Sequence, residues 1–93
     1  MGNGARTVQV VIRNRLGLHA RAAGKFRNLA EQFQSQVSVI SGHTTVDAKS
    51  VLGLMALEAS RGTALMLRAE GPDAEQALAA LAGLIAQRFG EGE

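Results

Sequence analysis

The residues best suited to chemistry lie in a short segment, residues 17–21, where a histidine precedes a predicted helix. His19 stands just before the helical pattern begins, and the first backbone N–H groups of a helix have no intrahelical acceptor. Such a helix end attracts anions and binds phosphate readily. Arg21 adds a planar guanidinium that can bind two phosphate oxygens at once. An imidazole nucleophile, a helix end and an arginine together predict phosphoryl transfer, with phosphate bound by His19, Ala20 and Arg21.

His19 and Arg21 alone leave the function open, because a histidine before a helix is often only a cap. Two other kinds of site, a nucleotide-binding loop and a metal site, are disfavoured by the sequence. A Walker A loop fails because six residues, instead of four, separate Gly17 from Gly24, and a phenylalanine follows the lysine where serine or threonine is required. A metal site is disfavoured because the two histidines lie far apart in the sequence and the chain has no cysteine.

The elements that must position this segment follow from the spacing of apolar residues. Four segments alternate or are rich in β-branched residues, which is typical of strands: residues 7–13, 36–41, 44–48 and 64–70. Three segments have helical spacing: residues from 20 onward, residues 50–59 and residues 74–89. The order β-α-β-β-α-β-α predicts one α+β domain over residues 1–93, with an ordered core of about 6–89 and a frayed start.

Two helix boundaries are predicted from particular residues. The apolar face of the first helix includes Phe33, which predicts a helix of roughly three to four turns. Asp73 is predicted to be the N-cap of the last helix, with Gln76 in the capping-box position. We expect that helix to run to about Phe89 and Gly90 to close it.

Composition and charge narrow the class of protein. The hydrophobic content of 46% and charged content of 19% exclude extensive disorder. The absence of cysteine, of a long apolar run and of a signal-peptide pattern predicts a cytoplasmic protein that does not insert into membranes. Residues 1–49 carry a net charge of +5 and residues 50–93 a net charge of −3, so the basic half indicates an acidic or phosphorylated partner.

Two segments resemble the signatures of one known family. Residues 14–21, Asn-Arg-Leu-Gly-Leu-His-Ala-Arg, resemble the active-site signature of the HPr-type histidine-containing phosphocarriers. Residues 47–57, Asp-Ala-Lys-Ser-Val-Leu-Gly-Leu-Met-Ala-Leu, resemble the family's second signature, at the start of its second helix. The predicted order of elements agrees over roughly residues 7–89. The resemblance implies an open-faced β-sandwich, with a four-stranded antiparallel sheet and three helices on one face.

The resemblance also implies roles for particular residues. It makes His19 the residue that carries the phosphoryl group, on Nδ1, and Arg21 the residue that stabilises it. The family receives phosphate from enzyme I, which phosphoenolpyruvate charges, and donates it to an EIIA-type protein. It is a carrier in a relay, without a cofactor, rather than a stand-alone enzyme. Ser50 resembles the serine that an HPr kinase phosphorylates in some bacteria, and its alternative role is a helix N-cap.

The resemblance also implies a docking patch near His19 on the second helix, which we define as Val51, Leu52 and Met55. The alternative is that these side chains are simply core. A short helix that is apolar nearly all round must be deeply buried or use its outer side for partners. We therefore expect Leu54 and Leu57 to point inward and the docking patch at least partly outward.

One residue departs from the family pattern: Ala22 follows the arginine, where the family usually has proline. Alanine is a good helix former, so we expect the fold to survive. Alanine at this position, with Gly-Leu-Met in the second helix, is similar to the nitrogen-related branch of the family.

Three rival functions remain open from the sequence. A nucleic-acid-binding module is disfavoured because the chain has only three phenylalanines, two of which fall on a predicted core stripe. A domain that binds a small metabolite is disfavoured because no convergent polar residues are evident. A family member that binds partners without transferring phosphate would differ from a carrier in one observable: it would acquire no phosphate. We expect a monomer, because one face must engage two partners in turn.

Overall fold

The computed structural model describes residues 4–93, so Met1 to Asn3 of the predicted frayed start lie outside the described residues. Within that range, four strands and three α-helices follow one another in the predicted order. The strands are β1 (Arg6–Val11), β2 (Gln36–Ser41), β3 (Thr44–Asp47) and β4 (Ala64–Glu70). The helices are α1 (Ala20–Ala30), α2 (Val51–Ala56) and α3 (Ala74–Ala86), and a 3-10 turn, Arg88–Gly90, follows α3.

The strands form one antiparallel sheet in the order β1-β4-β2-β3. Residues that pair across neighbouring strands point to the same face, so Val8, Leu67, Val39 and Val46 form one row across the sheet. Leu67 and Val39 of this row are buried, whereas Met66 in the adjacent row is exposed on the opposite face. The sheet is therefore covered on one face only, which confirms the predicted open-faced sandwich.

The helices bury the apolar face of the sheet. α3 packs on β1 and β4, α1 packs on α2 and α3, and α2 packs on β3. The largest fully buried apolar side chains come from both layers: Phe26, Phe89, Ile12, Leu54, Leu67 and Leu81. Because α1 and α2 pack against each other at their side of the core, the segment before α1 lies beside α2 and the loop that follows it.

Each of the three helices ends earlier than predicted. α1 stops at Ala30, so the prediction that Phe33 lies on this helix is wrong. The N–H group of Phe33 donates to the Ala30 carbonyl, three residues back, in a tightened turn beyond the helix. α2 stops at Ala56 rather than continuing to residue 59, and Glu58 has a left-handed φ of 51°. α3 stops at Ala86, and the separate 3-10 turn then contains Phe89.

Asp73 occupies the predicted N-cap position of α3, but the predicted capping box is wrong because its carboxylate makes no cap bond. The carboxylate instead accepts from the backbone N–H groups of Gln34 and Ser35, each at 2.9 Å, and from the Ser35 hydroxyl at 2.5 Å. The Ser35 hydroxyl, followed by the Gln34 N–H, lowers the pKa of Asp73. Asp73 therefore joins the start of α3 to the turn before β2. Among residues 4–93, no helix has the length and apolar character needed to cross a bilayer.

Candidate functional site

A tight turn at Gly17 delivers the chain from β1 to the start of α1. Gly17 has a φ of 70°, and a Cβ atom there would lie 2.5 Å from the carbonyl oxygen of Ala59. The N–H group of Leu18 donates to that same oxygen at 2.9 Å. Glycine is required here both for the left-handed backbone and for this close approach. The turn therefore fixes the residues before α1 against the segment that follows α2.

His19 is the N-cap residue of α1, with φ −76° and ψ 179°. Its carbonyl accepts the first intrahelical hydrogen bond, from the N–H of Ala23, at 2.8 Å. Its Nδ1 atom accepts from the N–H of Arg21 at 3.2 Å. The Nδ1 atom thus lies at the positive end of α1, as the sequence predicted for a phosphate-binding helix start.

The other ring nitrogen of His19 contacts a carboxylate that the sequence analysis missed. Nε2 lies 2.5 Å from Oε2 of Glu91, and both side chains are mostly buried, with 23% and 14% exposed. Asn14 Nδ2 donates to the other oxygen of Glu91 at 3.0 Å and to the Gly17 carbonyl at 2.8 Å. An ionised carboxylate only accepts hydrogen bonds, so we assign the ring proton to Nε2 and the lone pair that accepts from Arg21 to Nδ1.

The surroundings of Glu91 keep its carboxylate ionised. The hydrogen bond from Asn14 lowers the pKa of Glu91 most, and the hydrogen bond from His19 lowers it further. The positive charge of Arg21 acts in the same direction. These contacts therefore favour a negative charge on the Nε2 side of the imidazole.

The last six residues, 88–93, which we call the C-terminal segment, bring Glu91 to the site. Arg88 and Phe89 have left-handed φ values of 57° and 55°, which turn the chain back toward α1. The Phe89 ring is buried in the core, and its carbonyl accepts from Lys25 Nζ at 2.8 Å. Beyond Glu91, the main-chain oxygen of Glu93 accepts from the N–H of Arg15 at 3.0 Å. The segment is therefore attached on both sides of Glu91.

The predicted phosphate-binding residues lie together at the start of α1. The N–H groups of Ala20, Arg21 and Ala22 precede the first intrahelical bond. Arg21 is exposed and lines a shallow depression together with Arg15, Leu16 and Glu91. Ala22 is fully buried, so the residue that departs from the family pattern contributes its methyl group to the core.

Ser50 is the N-cap of α2, and its Oγ atom accepts from the N–H of Gly53 at 3.0 Å. This geometry confirms the capping role. Ser50 as a whole is half-buried. Its modification by a kinase stays a prediction.

The docking patch has the predicted orientation. Leu52 is 81% exposed and Met55 is 38% exposed, whereas Val51 is half-buried. Leu54 is fully buried, which anchors the inner side of α2. Leu16, which no sequence pattern marked as a docking residue, is 56% exposed and lines a second shallow depression with His19 and Met55. Exposed apolar side chains therefore lie beside His19 on both the loop and α2.

A family model for the PTS HPr component phosphorylation site matches residues 6–87 of this chain. The chain belongs to the HPr family. The phosphocarrier protein HPr of Cupriavidus necator is 51% identical over 80 residues, which cover 86% of this chain and 90% of that protein. The phosphocarrier protein NPr of Shewanella violacea is 43% identical over 83 residues, covering 89% of this chain and 91% of that protein.

Solved structures agree with this assignment. HPr-C-His from Thermoanaerobacter tengcongensis matches with a TM-score of 0.91 at 43% identity, covering 95% of this chain and 99% of that chain. The phosphocarrier HPr from Bacillus anthracis matches with a TM-score of 0.86 at 35% identity, covering 89% of this chain and 99% of that chain. The chain is therefore an HPr-type phosphocarrier of the phosphotransferase system, and the relative named NPr agrees with the expected likeness to the nitrogen-related branch.

The second histidine of this HPr-family chain lies apart from the site, exposed in the turn between β2 and β3. Across the described residues, no three His, Asp or Glu side chains are grouped so that they could hold a metal ion. His43 is therefore a useful control for experiments on His19.

Proposed function

We propose that this HPr-family protein accepts a phosphoryl group from enzyme I on Nδ1 of His19 and donates it to an EIIA-type protein. The observation that carries the proposal is the opposite use of the two ring nitrogens. Nε2 is engaged by Glu91, while Nδ1 is directed at the first turn of α1. A lone pair at a helix start is both a nucleophile and part of an anion-binding site.

The chemistry needs no further reacting group. The Nδ1 lone pair forms a bond to phosphorus as the bond between phosphorus and the donor breaks. The electron pair of the broken bond stays with the donor. The Arg21 N–H now bound to Nδ1 becomes free in this step and can donate to a phosphoryl oxygen. The Arg21 guanidinium and the N–H groups of the first helical turn stabilise the negative charge of the oxygens. The reverse steps deliver the group to the acceptor protein.

The docking patch and Leu16 support transfer between proteins. A phosphoryl donor and an acceptor must each bring a reactive side chain to His19, and exposed apolar residues beside that side chain are suited to an interface. The basic first half of the chain favours acidic partner surfaces. Because the two partners use one face in turn, we expect a cytoplasmic monomer, although a T. tengcongensis relative has been solved as an HPr dimer.

Ser50 supports a second, regulatory part of the proposal. Phosphorylation of its hydroxyl by an HPr kinase would place a charge of about −2 at the start of α2, next to the docking patch. Such a charge repels acidic partners and is costly to bury in an apolar interface.

Mass spectrometry after mixing the protein with enzyme I and phosphoenolpyruvate tests the proposal. We expect one acid-labile phosphoryl group on the parent and on His43→Ala, and none on His19→Ala. Circular dichroism of each variant establishes that it is folded. Phosphate retained by His19→Ala would refute the assignment to His19. A folded parent that acquires no phosphate from an active enzyme I, yet binds it, would instead indicate a family member that only docks.

A further inference from the structure

We propose that Glu91 is a positioning residue that holds the ring proton of His19 on Nε2 and stabilises the positive charge that the ring gains when Nδ1 binds phosphate. The part about charge rests on the proposed function. The part about the proton rests on the unphosphorylated protein alone. Nothing in the local sequence around His19 indicates this contact, because 72 residues separate the two side chains.

The position of the proton follows from the two hydrogen bonds of the ring. Oε2 of Glu91 lies 2.5 Å from Nε2, and the lowered pKa of Glu91 keeps its carboxylate an acceptor. At the opposite nitrogen, the Arg21 N–H is a donor, which requires a lone pair on Nδ1. Both contacts therefore favour the same tautomer, in which Nδ1 is the nucleophile.

The charge balance of the reaction gives Glu91 a second role. When the Nδ1 lone pair binds phosphorus, the proton stays on Nε2, so the ring becomes an imidazolium with one positive charge. When the N–P bond breaks, its electron pair returns to Nδ1 and the ring becomes neutral again. A carboxylate hydrogen-bonded to Nε2 stabilises the charged ring in both directions, as a buried aspartate does for the histidine of a serine protease.

The other charged groups around the ring are arranged so that Glu91 does not exclude phosphate. Arg21 comes from α1, lines the same depression as Glu91 and lowers the pKa of Glu91 by its charge. Glu58, from the segment after α2, lines the depression on the other side of His19. Glu91 contacts the ring through Nε2, the nitrogen that does not bind phosphate. Arg21 and Arg15 line the same depression as Glu91 and Glu93, so positive charge accompanies these carboxylates.

The C-terminal segment is built to hold this contact. Left-handed φ values at two successive non-glycine residues, Arg88 and Phe89, are unfavourable unless the surroundings impose them. The buried Phe89 ring, the Lys25 bond to its carbonyl and the Arg15 bond to Glu93 supply that constraint. Backbone strain of this kind is characteristic of functional segments. Here the strained backbone places the Glu91 carboxylate against His19.

A comparison of Glu91→Gln with Glu93→Gln tests the proposal in the full chain. Glutamine keeps the shape of Glu91 but removes its charge. Its single amide oxygen replaces two carboxylate oxygens, one bonded to Asn14 and the other to His19. Glu93 lies on the same segment and pairs through its side chain with Arg15 at 3.2 Å, so it is the matched control. The two measurements are the NMR signal of the Nε2-bound proton at about pH 8, where an ordinary imidazole is neutral, and the rate of phosphate uptake from enzyme I.

We expect the parent and Glu93→Gln to show a downfield Nε2 proton that exchanges slowly with water. In Glu91→Gln this signal should move upfield or disappear, and uptake should slow by about 10 to 100-fold, as for carboxylates that orient metal-bound imidazoles. A role in merely attaching the segment would lower the melting temperature without moving the proton signal. The proposal is overturned if the parent lacks the slowly exchanging proton, or if Glu91→Gln takes up phosphate at the parent's rate. If no chain takes up phosphate but the proton signal still depends on Glu91, the proposed function fails and the positioning role stands.

Discussion

The starts of α1 and α2 have the same construction but differ in their chemistry. His19 and Ser50 are both N-cap residues with extended backbone, and each side chain accepts a hydrogen bond from its own first turn. Ser50 uses its hydroxyl oxygen for that bond, whereas His19 has a second ring nitrogen, which Glu91 holds from the far end of the chain. A cap alone starts a helix. Under the proposed function, a cap whose second ring nitrogen is held by a carboxylate is also a nucleophile with a defined proton position.

Arg21→Ala should have the largest effect on phosphate transfer among the variants that follow, and it would isolate the chemistry of the first helix start. Arg21 is exposed, so the fold should be unchanged, but losing a charged donor for the phosphoryl oxygens should slow uptake by about 100-fold. Single-turnover transfer from enzyme I measures this rate. Arg27→Ala is the control, because Arg27 lies on the same helix and pairs with Glu31 instead. An Arg21→Ala protein as fast as Arg27→Ala would remove Arg21 from the site.

Substitutions of two leucines in α2 distinguish the contribution of this helix to stability from its contribution to partner binding. Leu54 is fully buried, so Leu54→Ala should destabilise the protein by about 2–5 kcal/mol. Leu52 is largely exposed, so Leu52→Ala should change stability by less than about 0.5 kcal/mol. Binding of enzyme I by Leu52→Ala should weaken by about tenfold, which corresponds to about 1.4 kcal/mol. Urea unfolding and calorimetric titration give the two quantities, and undiminished binding by Leu52→Ala would contradict the docking patch.

A pair of substitutions at Ser50 distinguishes its capping role from regulation. Aspartate is also a good N-cap, so Ser50→Asp should keep the stability of α2 while adding a negative charge that weakens enzyme I binding several-fold. Alanine cannot cap, so Ser50→Ala should lose about 1 kcal/mol of stability without weakening binding. The same titration and unfolding experiments apply. If Ser50→Asp bound as tightly as the parent, Ser50 would be a cap only.

Asp73 at the start of α3 offers the smallest effect and extends the comparison to a third helix. The Ser35 hydroxyl and the Gln34 N–H lower the pKa of Asp73, so the carboxyl group binds its proton more weakly in the folded protein than in the unfolded chain. Its contribution to stability is therefore present above the ordinary aspartate pKa and is lost as the pH falls through the lowered value. Asp73→Asn should be less stable than the parent at about pH 7, and the difference should shrink at about pH 3.

Urea unfolding at both pH values measures that difference. Glu75→Gln provides the control, since Glu75 forms an exposed ion pair with Arg6 and should change stability little. An Asp73→Asn deficit of the same size at both pH values would show that the carboxylate charge is unimportant.

The sequence alone predicted the parts of this protein that depend on local pattern. The bounds of β2 and β4 match the predicted segments because alternation of apolar and polar residues follows directly from the geometry of a strand. The positions of His19 and Arg21 before and within α1 followed from the change of hydrophobic period at Ala20. The orientation of Leu52 and Leu54 was predicted from the family resemblance together with a short helix that is apolar nearly all round, and the exposures confirm it.

Only the tertiary structure decided which distant groups meet. Asp73 has the local features of a helix cap, yet its carboxylate joins Ser35, 38 residues away, because packing brings two turns together. Glu91 follows the last helix in a segment whose sequence has no periodicity. The left-handed backbone of Arg88 and Phe89, with the Phe89 ring buried in the core, turns this segment toward His19. Local sequence determines where His19 stands, but contacts between residues far apart in the chain determine which groups surround its two ring nitrogens.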